Sequence, residues 1–135
     1  VNTFVDTSAF YAIMDAGDEM HPSAKPEWRR LLKNNVDLYT TNYVLVETMA
    51  LLQSRIGLDA VRLFSEDITP VLRIMWVDSS GHEVATQLLL TANRRDLSFV
   101  DCVSFQAMRS RRIRDVFCFD SHFSEQGFHL LPAQR

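Results

Sequence analysis

Glycine and proline are scarce in this 135-residue chain, four of each, which leaves little turn material for a β-sandwich and points to helices. There are two cysteines, Cys102 and Cys118, far apart in sequence. They exclude a disulfide scaffold and a Cys/His zinc site, and suit two buried small hydrophobes in a reducing compartment. No apolar run is long enough to span a bilayer, and the amino terminus lacks a basic-then-apolar leader, so a cytoplasmic location is expected. A net charge of −3 excludes a generically basic nucleic-acid binder. Gly-rich phosphate loops, nucleophile elbows and dinucleotide fingerprints are also missing.

What remains is a globular composition, 47% hydrophobic and 23% charged, in a chain sized for a single domain spanning 1–135. Thr3-Phe4-Val5 reads as a buried strand that stops at Asp6, with Thr7 and Ser8 as candidate caps of a helix reaching Asp15. A helix from His21 to Asn34, with Trp28, Leu31 and Leu32 inward, precedes a brief strand, Leu38–Thr41. Asn42 is expected to cap the next helix, Tyr43–Arg55, which is apolar around most of its circumference and carries Glu47 alone. Leu58–Ile68 continues as an amphipathic helix, and Val71–Val77 is a strand ending in Asp78, read as a cap. His82–Ala92 is helical, and Ser98 caps a helix from Phe99 to about Arg111 whose apolar part holds a single charge, Asp101. Val116–Phe119 is a buried strand ending at Asp120, and Phe128–Leu131 is a final edge strand. Alternating strands and helices imply an α/β fold, a mainly parallel sheet with helices on both faces.

Asp6 and Asp120 end buried strands; Glu47 and Asp101 stand alone in apolar helix openings. In open parallel sheets, ligands bind at the carboxyl ends of the strands. Carboxylates gathered there repel one another, and no Lys or Arg in the adjacent sequence is placed to pair with Asp6, Glu47 or Asp120. A hard divalent cation does, and Mg²⁺ or Mn²⁺ with oxygen ligands suits metal-assisted phosphodiester hydrolysis. Asp78 and Asp96 compete for the site, the latter as a loop acid near its rim. His122 reads as a loop or surface residue rather than a general base. Arg94, Arg95, Arg109, Arg111, Arg112 and Arg114 crowd the sequence around Asp101; they read either as a solvated helix end or, with Arg94, Arg95, Arg111 and Arg112 foremost, as phosphate contacts.

The residues resemble the PIN-domain ribonucleases, and among them the VapC-type toxins of prokaryotic toxin–antitoxin pairs. The likeness rests on Phe4-Val5-Asp6-Thr7-Ser8, on Thr41-Asn42-Tyr43-Val44-Leu45-Val46-Glu47, on Leu97-Ser98-Phe99-Val100-Asp101 and on Phe119-Asp120-Ser121-His122-Phe123. Asp18, His21 and Ala24 follow a pattern common after the first helix. The resemblance implies a Rossmann-like three-layer sandwich and a Mg²⁺- or Mn²⁺-dependent endoribonuclease, dimeric and paired with an antitoxin. It maps the catalytic and metal-binding acids onto Asp6, Glu47, Asp101 and Asp120, with Thr7 and Ser8 as hydroxyl donors behind them. The family often has Thr or Ser two residues before the last acid; this chain has Cys118. Two rivals stand beside this reading. One is a degenerate PIN-like module that only binds RNA or protein. The other is an aspartyl-nucleophile phosphatase, which usually wants an acid where Ser8 stands.

Overall fold

A computed structural model describes residues 2–133. Five strands form one sheet in the order β3-β2-β1-β4-β5, every pair parallel. The strands are β1 (Asn2–Val5), β2 (Asp37–Thr41), β3 (Arg73–Met75), β4 (Asp115–Phe117) and β5 (His129–Leu131). β1 is central, buried from Thr3 onward as its apolar run requires. The chain winds outward from β1 through β2 to β3, then returns to place β4 on its other side. The gap between β1 and β4 is thus the topological switch point, where the connections diverge and a crevice opens.

The helices are α1 (Thr7–Met14), α2 (His21–Lys33), α3 (Asn42–Arg55), α4 (Leu58–Leu63), α5 (Ser79–Ala92), α6 (Phe99–Ser110) and α7 (His122–Glu125). α1 packs on α2 and α3, and α3 on α4; α5 packs on α6, and α6 on α7. Two helical layers therefore enclose the sheet. Phe10 and Phe64 meet edge to face at 5.2 Å in one layer, Phe105 and Phe123 at 5.0 Å in the other. The second contact matters for the site, because Phe123 anchors the short helix that follows Asp120.

Several local expectations change. The expected helix 58–68 breaks at Phe64 into a π-turn, Phe64–Ile68, followed by a 3-10 turn, Thr69–Val71. Phe64 and Ile68 are both buried in the core. β3 is correspondingly shorter than expected. In α2, Leu32 faces solvent, while Glu27 is buried by a two-point pairing with Arg30 at 2.7 and 2.8 Å. α3 is less enclosed than its composition implied, with Val46 68% exposed and Met49 also at the surface.

Candidate active site

Each acid is set by the end of an element. Asp6 follows β1 and caps α1, its Oδ2 accepting from the Ser8 N–H at 3.1 Å and from the Ser8 hydroxyl at 2.7 Å. Asp6 rather than Thr7 or Ser8 is thus the cap; Ser8 fixes the carboxylate instead. The same Ser8 oxygen accepts the Phe119 N–H at 2.9 Å. That bond draws the chain away from β1 after Phe117, which is why β4 ends two residues earlier than its apolar run predicts. Thr7 is buried, and its hydroxyl has no partner.

Thr41, not Asn42, caps α3 through its hydroxyl. Asn42 accepts from the Val77 N–H at 2.8 Å, tying the end of β3 to the start of α3. Glu47 lies in the second turn of α3, half-buried. Ser98 caps α6 by accepting from the Asp101 N–H at 3.0 Å, as its position predicts. Asp101 is therefore held in the first turn, 6% exposed. Asp120 follows β4, and its Oδ1 accepts from the His122 N–H at 2.9 Å.

Asp101, Asp120 and His122 offer ligand atoms that all lie within 4.8 Å of one another. Asp6 and Glu47 stand outside that tight group but within electrostatic reach. Burial raises the Asp6 carboxyl to about 6, against the pull of Ser8, and the charges of Asp120 and Glu47 add to the rise. Burial likewise raises Asp101 to about 7, with Asp120 and Asp6 pushing the same way. Among the described residues, no Lys or Arg forms an ion pair with Asp6, Glu47, Asp101 or Asp120. Oxygen donors with unbalanced negative charge fit a hard divalent cation, and Asp101, Asp120, Asp6 and Glu47 are the residues that could hold one.

His122 is the residue that sequence reasoning undervalued. Its ring is mostly covered, with Nδ1 3.0 Å from Asp120 and 3.3 Å from Asp101. It is well aligned for a hydrogen bond to neither. Burial opposes its charging, but Asp120, Asp96 and Asp101 outweigh burial and raise its pKa. The signal was its place two residues after Asp120, in a turn that folds back over the acid.

The arginines do not form one patch. Arg94 is committed to Asp96, at 2.7 and 3.1 Å, and to Glu125 at 2.8 Å. Arg111 lies over the Tyr39 ring, and with Arg112 it stands at the far end of α6, about 15 Å along the helix from Asp101. Clustering in sequence around Asp101 was therefore misleading, because a helix carries ten residues away from the site. Arg95 remains exposed on the rim loop. Asp96 is also on the rim, its carboxyl lowered to about 2 by Arg94, and Asp78 caps α5 by accepting from the Gly81 N–H. Cys118 is buried, its thiol raised to about 12 by burial and directed at the Asp120 carbonyl at 3.6 Å.

Comparison with known proteins bears on this arrangement. The family model of the PIN domain matches residues 3–128. The 23S rRNA-specific endonuclease VapC20 of Mycobacterium tuberculosis is 39% identical over 126 residues, 93% of this chain and 94% of that protein. The crystal structure of Mycobacterium tuberculosis VapC20, a sarcin–ricin loop cleaving toxin, superposes with a TM-score of 0.82 at 36% identity. That match covers 93% of this chain and 95% of the other. FitAcB from Neisseria gonorrhoeae shares the fold at a TM-score of 0.70 and 12% identity, covering 95% of each chain.

Proposed function

The chain belongs to the PIN-domain family, and on that premise we propose that it is a VapC-type toxin that hydrolyses RNA with a divalent metal ion. The sarcin–ricin loop of 23S rRNA is the substrate we assign, from the likeness to VapC20. The observation that carries the reading is the approach of Asp101, Asp120 and His122 to within 4.8 Å, with Asp6 and Glu47 in electrostatic reach and no Lys or Arg paired to the acids. A Mg²⁺ or Mn²⁺ ion held by these acids and Glu47 would supply charge neutralisation at the phosphate and activation of water.

The chain's own residues do the positioning. Ser8 holds Asp6 in one rotamer and couples it to the backbone beyond β4. Ser98 fixes the first turn of α6 and with it Asp101. The α7 turn holds Asp120 through the His122 N–H. In the reaction a water oxygen bonds to phosphorus as the bond to the leaving ribose oxygen breaks, and the proton the water loses ends on that ribose oxygen. Cleavage of a sarcin–ricin hairpin should require Mn²⁺ or Mg²⁺, cease in EDTA and return when metal is restored. Asp101→Asn should abolish it. Metal-independent cleavage, or none by wild type, would refute the reading.

Two partnerships belong to the same proposal: a homodimer, and an antitoxin that places a cation among the acids. Exposed Val46, Leu58 and Leu63 on α3 and α4 supply apolar surface for them. No helix among the described residues is long and apolar enough to cross a membrane. The proposed rRNA substrate places the protein in the cytoplasm.

A further inference from the structure

Three aromatic rings meet at the carboxyl edge of the sheet, and the acidic chemistry does not use them. Tyr43 lies in the first turn of α3, His82 in the first turn of α5, and Phe99 at the first position of α6. Tyr43 is four residues before Glu47 and so on the same helical face. Phe99 shares the first turn of α6 with Asp101 but, two residues earlier, is turned to another side of the helix. The ring centroids are 5.7 Å apart for Tyr43–His82, 6.0 Å for Tyr43–Phe99 and 4.9 Å for His82–Phe99. The rings are inclined at 45°, 64° and 66°, so they brace one another by tilted and edge-to-face contact, and Tyr43 and Phe99 also pack against the core. Tyr43 and Phe99 are half-buried, and His82 is exposed. The Tyr43 hydroxyl and His82 Nδ1 are hydrogen-bonded, which fixes both rings in advance.

Charge makes such rings useful here. The site edge is acidic, Arg94 is spent on Asp96 and Glu125, and Arg111 lies at the opposite end of α6. Electrostatics alone would hold RNA poorly at this edge. Stacking of an unpaired base on an aromatic side chain is worth about 1–3 kcal/mol and does not depend on positive charge. Single-stranded loops are recognised in this way, with bases splayed onto aromatic faces. We infer that Tyr43, His82 and Phe99 form a platform in which the exposed His82 ring, braced by the other two, stacks one unpaired base of the RNA loop at this edge of the site. The inference rests on the nuclease reading for its substrate, but it concerns binding and can fail separately.

The test uses a fluorescent RNA hairpin carrying the sarcin–ricin loop, and versions in which single loop nucleotides are made abasic. Binding is followed by anisotropy in EDTA, where cleavage is absent. One abasic substitution should weaken binding to wild type about tenfold. Phe99→Leu should weaken the intact hairpin by a similar factor and cause little further loss with that abasic hairpin. Tyr43→Phe, which keeps the ring, should cost less than Tyr43→Leu. With Mn²⁺ present, Phe99→Leu should raise KM and leave kcat nearly unchanged. Should Phe99→Leu fold poorly, the exposed His82→Leu gives the same comparison. Equal weakening of intact and abasic hairpins by these variants would make the rings packing residues only and overturn the platform. Wild type that binds every abasic hairpin as tightly as the intact one would do the same. Base-blind binding with normal cleavage would sink the platform alone, whereas base-dependent binding without cleavage would sink the nuclease reading alone.

Discussion

Ser8 and Phe119, 111 residues apart in sequence, are joined by a 2.9 Å hydrogen bond across the switch point. The hydroxyl that accepts from the Phe119 backbone donates at the same time to Asp6 at 2.7 Å. One small side chain thus fixes an acid on β1 and the exit of β4. Ser8→Ala would remove the partner of the partly buried Phe119 N–H and loosen Asp6. We expect a loss of about 1–3 kcal/mol in urea unfolding, together with reduced cleavage. Ser8→Ala with unchanged stability would show that water replaces the hydroxyl without cost.

The acids should cost stability when no cation is bound. Asp6→Asn keeps an oxygen acceptor for the α1 cap while removing a buried charge. It should leave metal-free stability equal or higher, and Glu47→Gln should behave alike. Wild type should gain about 2.7 kcal/mol from Mn²⁺ at a hundredfold excess over its dissociation constant. Both variants should lose most of that gain along with RNA cleavage. A destabilised Glu47→Gln that still responds to Mn²⁺ in melting curves would remove Glu47 from the site.

The pH dependence has a definite sign. Asp6 at about 6 and Asp101 at about 7 lie above the 3.8 expected of an exposed Asp. The native protein therefore keeps protons that the unfolded chain releases. This stability is full below about pH 4 and is lost as pH rises through the folded values. Asp6 alone accounts for on the order of 3 kcal/mol. Urea unfolding in EDTA should show lower stability at pH 7.5 than at pH 4.5, and Asp101→Asn should flatten the trend. Added Mn²⁺ should reverse it, because cations and protons compete for the same oxygens.

Salt dependence separates the arginines. Arg95→Ala should lower the slope of log binding constant against log salt by about 1, as expected for one lost phosphate contact. Arg111→Ala with Arg112→Ala should leave the slope unchanged, given their place at the far end of α6. A flattened slope in that double variant would extend the RNA path along the whole helix.

Both thiols should be inert. Cys102 and Cys118 are buried, and burial raises both above their ordinary pKa. Native protein should react with neither iodoacetamide nor a disulfide reagent until denaturant is added. Cys118→Ser should retain cleavage, since the Cys118 thiol makes only a long contact, 3.6 Å, to the Asp120 carbonyl and none to an acid side chain. Rapid labelling of Cys118 would mean that the turn around Asp120 opens in solution.

The sequence by itself determined the strands that matter and the acids at their ends. β1 is a short apolar run stopped by a carboxylate, and such runs are legible because a doubly covered parallel strand must be apolar on both faces. Glu47 and Asp101 stood out because each was the lone charge in an apolar helix opening. Ser98 and Asp78 were legible as caps, since a cap satisfies amides within its own first turn. Those are local rules, and local sequence carries them.

Other features depended on contacts between distant segments. Ser8 reads as a helix cap until β4 arrives to use its oxygen, and Asn42 reads as another until Val77 does. Phe64, where the π-turn begins, packs on Phe10, fifty-four residues earlier. His122 looked like a loop residue because its two carboxylates come from α6 and the end of β4. The arginines separate for the converse reason: neighbours in sequence part company along a helix at about 1.5 Å per residue. Only the sheet order, with β4 returning to the other side of β1, decides that Asp120 comes within electrostatic reach of Asp6 and Asp101. That order is fixed by burying both faces of the whole sheet at once, a condition no single segment carries.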